Sequence, residues 1–479
     1  MAGISHSEIQ HDSQLAYHLS LLRLGNDNDQ NDETALAPIF MGSLFRQLNL
    51  IPAQYGLLAG VKRIQRPEFV SSEDEGIKND PRVFLNITSP LSTFICGSQG
   101  SGKSHTLSCV LESCLLSSNA GRLSNPLTAV VFHYDTFICD NGGSPCEAAF
   151  LASHPGITVR VLCAPTNLRT IRVFHVPRVG QEKGPIPLYM HTVQRILREM
   201  RLLQQETDSG FDYYMFKKKL LGADLLPSQL EPLKQRLETL ESFMPHQQVR
   251  LAQNSKKSKG KAQMKGSSWT PKPSQLTIVD LSCPCITPDT ACSLFNVCFE
   301  IFMEQNTDVG RVVALDEAHK YLKGSIDSQN FTDTLLSTVR LQRHLGARIL
   351  ISTQEPTISS DLLSLCSITI VHKFSSPAWL RVLQGHVAAA ALGTQPGGQV
   401  LDNTDEGSPK HQMSNKLSFM NQIVDLNVGE ALLFAPGAIL ESKMEGVNPQ
   451  GLRRLGAGYM VVKIRERLTE DGGQSVLAA

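Results

Sequence analysis

A glycine-rich loop followed by a lysine is the clearest chemical signal in this sequence. Residues Gly97 to Ser104 read Gly-Ser-Gln-Gly-Ser-Gly-Lys-Ser, after the short apolar segment 93–96 and before the helical pattern 106–116. Glycines let the backbone curve so that its N–H groups point at phosphate oxygens, and the following helix adds the positive end of its dipole. This context predicts that the loop binds the phosphates of a nucleotide.

Each residue type in the loop has an expected role. Lys103 is placed to reach the β- and γ-phosphates, and the Ser104 hydroxyl is a ligand for the Mg²⁺ ion that bridges them. The predicted phosphate cradle consists of Gly97, Ser98, Gln99, Gly100, Ser101, Gly102, Lys103, Ser104 and His105. The expected cofactors are ATP and Mg²⁺. A guanine nucleotide is disfavoured because the pair Asn415-Lys416 is followed by Leu and Ser and lacks the Asp that recognises guanine.

Two carboxylates end the apolar segment 311–315. Ligands of parallel sheets gather at the carboxyl ends of strands, so Asp316 is expected beside the glycine-rich loop as a Mg²⁺ ligand. Glu317 then faces the γ-phosphate and is the candidate general base for an attacking water. The alternative is that both acids cap the next helix, but the presence of Lys103 favours the catalytic interpretation.

A glutamine and two arginines extend the candidate site. Gln354 follows the apolar segment 348–353, where its amide is placed to sense the γ-phosphate, or else to satisfy a turn before Pro356. Arg340 and Arg343 are three residues apart on a predicted helix and therefore share a face. An arginine from a neighbouring subunit can stabilise a transferring phosphate, although arginines are also common on helix surfaces.

The elements around these residues predict an α/β fold. From Val83 onward, apolar runs of strand length alternate with helical periodicity, which is typical of a mostly parallel, twisted sheet flanked by helices. Amphipathic periodicity after residue 185 predicts a helical insertion. Strands are expected at 93–96, 128–134, 157–163, 276–281, 311–315, 347–352, 367–373 and 430–434.

The domain organisation predicted from these patterns has six parts. They are an N-terminal region of unknown role (1–82), the first part of the ATPase core (83–184), the helical insertion (185–253), a Lys-, Ser- and Gly-rich linker (254–274), the second part of the core (275–465) and a C-terminal tail (466–479). The linker contains several lysines and no acidic residue, so it is either a solvated loop or a contact for DNA phosphates. The polar segment 394–416 predicts a further surface loop.

Composition narrows the class of protein. With 45 basic and 45 acidic residues among 479, the formal charge is zero, which gives no global attraction to nucleic acid or acidic membranes. No apolar run approaches the roughly 18 residues of a membrane helix, so membrane insertion is not expected. The polar start, 1–14, lacks the features of a secretory signal, which predicts a cytoplasmic or nuclear protein.

The cysteines are expected to be free thiols. Their number, 11, is odd, and most of them lie in apolar segments. Four of them, Cys283, Cys285, Cys292 and Cys298, could be drawn as zinc ligands, but their spacing is not C-x₂-C and the last two fall in an apolar helical run. The sequence therefore disfavours a structural zinc site there.

Taken together, these motifs resemble the HerA/FtsK superfamily of P-loop motor ATPases. The resemblance implies a RecA-like core, a homo-oligomer in the form of a hexameric ring, and ATP-driven movement of double-stranded DNA. Fungal P-loop proteins of unknown function have a similar Walker region. The motifs that carry the resemblance, in chain order, are 97–104, 130–135, 277–282, 315–319, 340–343 and 352–356.

The resemblance assigns roles residue by residue. It implies that Lys103 and Ser104 are the Walker A phosphate and metal ligands, and that Asp316 and Glu317 are the Walker B acids. It further implies a sensor role for Gln354, a trans-acting role for Arg340 or Arg343, and a late strand with a Gly-Glu pair at Gly429-Glu430. The motif Asp-Glu-Ala-His at 316–319 also occurs in a class of helicases, but Ser352-Thr353-Gln354 departs from the Ser-Ala-Thr motif of those enzymes. His319 is therefore expected to be a helix-start residue.

Three departures from the superfamily pattern weaken the expectation of DNA movement more than the expectation of ATP hydrolysis. No N-terminal β-barrel is legible in the first 80 residues, Asp135-Thr136 replaces a Gly and a Glu, and the central insertion is long. The prediction is a Mg²⁺-dependent ATPase resembling DNA translocases. The alternative is an ATP-dependent conformational switch or assembly factor that acts on a protein partner without moving DNA.

Overall fold

A computed structural model gives the arrangement of the chain. It describes residues 34–46, 51–66, 80–135, 146–163, 192–193, 195–200, 212–223, 225–244, 268–282, 286–305, 307–387, 390, 419–445 and 448–470. The polar segment 394–416, most of the predicted linker 254–274, and residues 471–479 of the predicted tail lie outside this part of the chain. Within the described residues, no helix is both long and apolar enough to cross a membrane.

The described residues include fifteen strands and seven principal α-helices, besides shorter helical segments. The strands are β1 (Ile39–Met41), β2 (Tyr55–Gln65), β3 (Arg82–Asn86), β4 (Ser92–Cys96), β5 (Gly121–Arg122), β6 (Thr128–His133), β7 (Thr158–Cys163), β8 (Gln275–Asp280), β9 (Arg311–Leu315), β10 (Ala347–Thr353), β11 (Ile368–Val371), β12 (Glu430–Phe434), β13 (Ile439–Glu445), β14 (Asn448–Arg454) and β15 (Tyr459–Ile464). The helices are α1 (Lys103–Leu115), α2 (Tyr213–Leu221), α3 (Pro227–Phe243), α4 (Pro288–Glu304), α5 (Ile326–Leu345), α6 (Ser360–Leu365) and α7 (Pro377–His386).

One half of the sheet is parallel and carries the predicted chemistry. Its seven strands lie side by side in the order β11, β4, β10, β9, β6, β8 and β7. The α/β fold with a parallel sheet and flanking helices is confirmed, and all eight predicted strands are present, with β12 pairing antiparallel to β11. Most of these segments were predictable because strands buried on both faces are largely apolar, whereas the edge strand β7 is partly exposed.

Alternate residues of the parallel strands enter two different cores. On β6, Val130 and Phe132 face α4 and α5, where Phe132 lies 5.1 Å from Phe295 and 5.9 Å from Phe331 between ring centroids. Their neighbour Val131 belongs to the core on the opposite face, which contains α1. The two faces follow from the period of two in a strand, so α1 and α5 cover opposite sides of the sheet.

The other half of the sheet is largely antiparallel, and the sequence analysis missed most of it. Its strands continue from β12 in the order β15, β2, β3, β1, β13 and β14, with one parallel pair between β1 and β13. The first 80 residues, in which the sequence indicated no β-barrel, contribute β1 and β2. Most of these strands pair with partners from the C-terminal 439–464 region, and β2 mixes Gly56, Ala59 and Lys62 with its apolar residues. Neither feature produces a local apolar run.

The predicted helical insertion is present as α2 and α3, with a helical segment at 195–200. These elements share a small core of their own, built from Ile196, Met200, Phe216, Leu220, Leu233 and Leu237. Trp269 connects this region to the main core, since its ring nitrogen donates to the carbonyl of Phe243. The boundaries of the six predicted parts stay a prediction.

Candidate nucleotide site

Strand register brings the predicted loops to one edge of the sheet. Cys96 at the end of β4 pairs with Thr353 at the end of β10, and Ile351 of β10 pairs with Leu315 at the end of β9. The glycine-rich loop, Gln354 and the Asp316-Glu317 pair therefore leave three adjacent strands side by side. This is the edge at which ligands of parallel sheets bind.

The glycine-rich loop adopts a backbone that only glycine accepts at two positions. Gly97 and Gly102 have φ angles of 152° and 108°. A Cβ atom at Gly97 would lie 2.7 Å from the Cβ of His372, and one at Gly102 would lie 3.2 Å from the Cα of Gly429. Both glycines therefore permit a left-handed turn and close packing against the strands behind the loop.

Lys103 is buried and bound within the loop. Its Nζ donates to the carbonyl of Ser98 at 3.0 Å, and the Ser101 hydroxyl donates to the same carbonyl at 2.7 Å. Burial lowers the pKa of Lys103, while the carboxylates of Glu317 and Asp316 oppose that shift. The ammonium group thus sits between the loop and the acidic edge, beside the first turn of α1, whose N–H groups have no intrahelical partners.

A buried histidine supports the loop from behind. His372 Nδ1 donates to the carbonyl of Glu430 at 2.9 Å, and its Nε2 lies 2.9 Å from the Thr106 hydroxyl on α1. Burial lowers the pKa of His372 to about 4, so the ring is neutral and takes one partner on each nitrogen. The backbone N–H of Gly429 also donates to the carbonyl of Ser101 at 3.2 Å. The sequence analysis missed His372, although it selected Gly429-Glu430.

The acidic pair is held by the ends of β6 and β9. The backbone N–H of Asp316 donates to the carbonyl of Phe132 at 2.9 Å, and the Asp316 carboxylate accepts from the N–H of Glu317 at 3.1 Å. Asp316 is buried, with 3% of its surface exposed. Glu317 has φ of 50°, a left-handed conformation that costs a non-glycine residue about 1–3 kcal/mol.

Glu317 has the environment of a carboxylate that can accept a proton. Burial and the neighbouring Asp316 charge raise its pKa, against the opposing effect of Lys103. Its Oε2 accepts a long hydrogen bond from Gln354 Nε2 at 3.4 Å. The side chains selected as base and sensor therefore touch each other.

His319 has a role that the sequence analysis did not assign. It lies in the short 3₁₀ turn Ala318–Lys320, close to its predicted helix-start position. Its Nδ1 accepts from the backbone N–H of Gln354 at 3.3 Å and also faces Glu317 Oε2 at 3.3 Å. Burial and the Lys320 charge lower the pKa of His319 to about 4, so it is a neutral acceptor that orients the start of the Gln354 loop.

Other predicted site residues lie elsewhere or face away. Arg340 and Arg343 are exposed on the last turns of α5, which leads through Gly346 to the amino end of β10, opposite the nucleotide edge. The His105 ring contacts the carbonyl of Arg465 at 2.8 Å, which leaves only its backbone N–H for a phosphate. Ser104, half-buried, lies on the first turn of α1.

The donors at this edge fit a nucleotide with Mg²⁺. A hydroxyl from Ser104 and a carboxylate from Asp316 are hard oxygen ligands, which Mg²⁺ prefers. Lys103 and the N-terminus of α1 supply positive charge and N–H donors for phosphates. Ser104 and Asp316 would hold Mg²⁺, which would supply positive charge to neutralise the phosphates.

Comparison with known proteins gives structural similarities at low identity. No protein-family model matches the chain, and no curated protein matches it in sequence. Among solved structures, VirB4 of Thermoanaerobacter pseudethanolicus is 11% identical with a TM-score of 0.45, over 86% of this chain and 96% of that chain.

Two structures of the B204 genome-packaging enzyme are also similar. The NTPase from Sulfolobus turreted icosahedral virus 2, in complex with ATP-gammaS, is 9% identical with a TM-score of 0.28, over 72% of this chain and 91% of that chain. The DNA-packaging ATPase B204 from Sulfolobus turreted icosahedral virus is 11% identical with the same TM-score, over 72% and 92%. At these values the similarity does not extend to the roles of residues, which come from this chain's own geometry.

Proposed function

We propose that this chain is a Mg²⁺-dependent ATPase whose site lies at the carboxyl ends of β4, β9 and β10. One observation carries the proposal: Lys103, the Asp316-Glu317 pair and Gln354 follow three adjacent strand ends and converge on one edge, where Gln354 contacts Glu317. A fold that needed these residues only for stability would not require a lysine and two acids at one edge. The convergence supports phosphoryl transfer from a bound nucleoside triphosphate.

The residues divide the work of hydrolysis as follows. Lys103 exchanges the Ser98 carbonyl for the β- and γ-phosphates. Ser104 and Asp316 would hold Mg²⁺, which would neutralise charge on the phosphates. Glu317 takes a proton from the attacking water, and its raised pKa suits this role. Gln354 orients the Glu317 carboxylate and, once ATP is bound, reports on the γ-phosphate.

Double-stranded DNA is the proposed polymer, on the strength of the resemblance to HerA/FtsK motors. Arg340 and Arg343 are exposed and distant from their own nucleotide edge, which suits a role at a neighbour's site in a ring. The second candidate function is an ATP-dependent switch or assembly factor acting on a protein partner. The formal charge of zero favours that candidate, because DNA motors need a basic surface along their path.

The test is steady-state ATP hydrolysis with Mg²⁺, alone and with double-stranded DNA, single-stranded DNA or RNA. Lys103→Ala removes the phosphate-binding charge, and Lys234→Ala removes an exposed lysine on α3 as a matched control. We expect turnover that Lys103→Ala abolishes and Lys234→Ala leaves intact. Stimulation by double-stranded DNA supports the motor, and slow turnover indifferent to every nucleic acid supports the switch. Equal turnover in wild type and Lys103→Ala would exclude this site.

A further inference from the structure

A histidine and a cysteine meet the Walker B aspartate on the side away from the phosphate loop. His133 Nδ1, Cys146 Sγ and a carboxylate oxygen of Asp316 lie within 4.8 Å of one another. His133 is the last residue of β6, and Phe132 before it pairs with Leu315 before Asp316, so register alone sets two of the three groups side by side. Cys146 immediately precedes the 3₁₀ turn Glu147–Ser153.

The proposed ATP hydrolysis uses Asp316 but involves neither His133 nor Cys146. Cys146 is buried, with 3% of its surface exposed. His133 Nδ1 is also buried and lacks a hydrogen bond of proper geometry among the described residues, although Asp316 Oδ2 faces it at 3.4 Å. Buried polar atoms are nearly always satisfied, so an unsatisfied nitrogen facing a thiol and a carboxylate indicates a missing ligand.

We propose that His133, Cys146 and Asp316 form a binding site for a soft divalent cation of the Zn²⁺ class. Imidazole nitrogen, thiolate and carboxylate are the three kinds of protein ligand that Zn²⁺ takes, and three of them with one open position make a tetrahedral site. Mg²⁺ does not suit this set because it prefers oxygen ligands alone.

The charges of such a site balance. On binding, Cys146 releases its proton to solvent and ligates as a thiolate, while Asp316 ligates as a carboxylate and His133 as a neutral ring. Two negative ligands then offset the two positive charges of the metal, which suits a site with this degree of burial. Ligand atoms in a tetrahedral zinc site lie about 3.5 Å apart, so groups that are up to 4.8 Å apart close in by about 1.3 Å at most.

A metal at this site competes with the ATPase. Ligation draws the Asp316 carboxylate toward His133 and Cys146, and therefore away from the Mg²⁺ position beside Ser104. Zn²⁺ is then an inhibitor of hydrolysis, with Cys146 setting the sensitivity. This consequence rests on the proposed function, whereas the binding of metal to the three side chains does not.

The first experiment measures metal binding without reference to activity. Co²⁺ replaces Zn²⁺ as a visible probe, because a Cys thiolate bound to Co²⁺ gives a charge-transfer band. The intact chain is titrated as wild type, as Cys146→Ala and as Cys298→Ala, the last of which removes another buried thiol in α4. We expect the band in wild type and Cys298→Ala, and its loss in Cys146→Ala. A Cys146→Ala spectrum identical to wild type would overturn the site.

A second variant guards against misfolding of the first. His133→Gln removes the ring ligand and keeps the thiol, and we expect its Co²⁺ affinity to fall by more than the roughly 10–100-fold that changes outside the ligand shell cause. Unchanged affinity in a His133→Gln protein with wild-type circular dichroism would also overturn the site.

The last experiment compares how strongly Zn²⁺ inhibits ATP hydrolysis in wild type and in the two cysteine variants. With saturating Mg²⁺ and ATP, we expect added Zn²⁺ to inhibit wild type and Cys298→Ala at lower concentrations than Cys146→Ala. Equal inhibition of all three would contradict competition at Asp316. A wild-type protein that binds Co²⁺ through Cys146 but hydrolyses no ATP would refute the proposed function and leave the metal site standing.

Discussion

Two glutamates, one on α1 and one at the acidic edge, have opposite surroundings. Glu112 lies on α1 with a fully buried side chain, and Glu317 follows β9 at the acidic edge. Hydrogen bonds from Thr469, Arg465 and Leu468 lower the pKa of Glu112 despite its burial, which alone would raise it. Burial and Asp316 raise the pKa of Glu317. Burial by itself therefore does not tell a structural carboxylate from a reactive one.

The number of hydrogen-bond donors around each carboxylate accounts for the opposite pKa shifts. The Glu112 carboxylate accepts from Arg465 Nη1 at 2.7 Å, from the Thr469 hydroxyl at 2.6 Å, and from the backbone N–H groups of Leu468 and Thr469 at 3.1 and 3.0 Å. The described contacts of the Glu317 carboxylate are no shorter than 3.3 Å. A satisfied carboxylate fixes the segment 465–469 along α1, whereas an unsatisfied one keeps its capacity to take a proton.

Removing the charge of Glu112 is expected to have the largest effect on stability. Glu112→Gln leaves the buried guanidinium of Arg465 without its anion, which costs about 3–5 kcal/mol of unfolding free energy. Glu317→Gln removes a poorly satisfied charge and should not lower stability. Urea unfolding at neutral pH measures both, with the exposed Glu304→Gln on α4 as a control expected to stay within about 0.5 kcal/mol. Equal losses of stability in Glu112→Gln and Glu317→Gln would remove the distinction between the two glutamates.

The pH dependence of stability should have opposite signs at the two sites. The lowered pKa of Glu112 means that its contribution is present above the ordinary value of 4.5 and is lost as pH falls through the folded-state pKa. The raised pKa of Glu317 means that its penalty is present at neutral pH and is relieved as pH falls toward 4.5.

The measurement is urea unfolding of wild type and both glutamine variants between about pH 7 and about pH 3, a range that extends below the ordinary pKa of 4.5. The stability deficit of Glu112→Gln should shrink on acidification, and any stability advantage of Glu317→Gln should shrink as well. A Glu112→Gln deficit that grows toward low pH would show that this carboxylate is not held ionised in the folded state.

Relief of backbone strain at Glu317 is expected to give the smallest effect. Glu317→Gly allows φ of 50° without steric cost, and after the entropy loss of a new glycine the gain is about 1 kcal/mol. Ser274→Gly is a matched control, because Ser274 also has a positive φ, 57°, and carries no charge. Urea midpoints compare the two, and a loss of stability in Glu317→Gly alone would mean that the glutamate side chain supports the turn.

The sequence pattern singled out Glu317 but not Glu112, for physical reasons. Glu317 follows an apolar strand and stands in a row with Lys103 and Gln354, so local pattern and strand topology are enough to place it. The partners of Glu112 come from residues 465–469, more than 350 positions later in the chain, and no local pattern encodes that contact.

The same division holds for the sheet and for the histidines. The parallel strands are local apolar runs, whereas β1 pairs with β13 and β2 pairs with β15 across most of the chain. His133 is the last residue of β6, and His372 follows β11. A histidine at the end of a strand has no distinctive spacing in the sequence. Strand-end position next to a predicted site is the one signal that would have found them.

Single-turnover hydrolysis by Glu317→Gln tests the central claim most directly. With enzyme in excess over ATP and Mg²⁺ present, the variant should bind ATP as wild type does, because Lys103 and the loop are unchanged. Loss of a general base predicts cleavage slower by about 10²–10⁴-fold. Cleavage at the wild-type rate would contradict the assignment of Glu317 as the base.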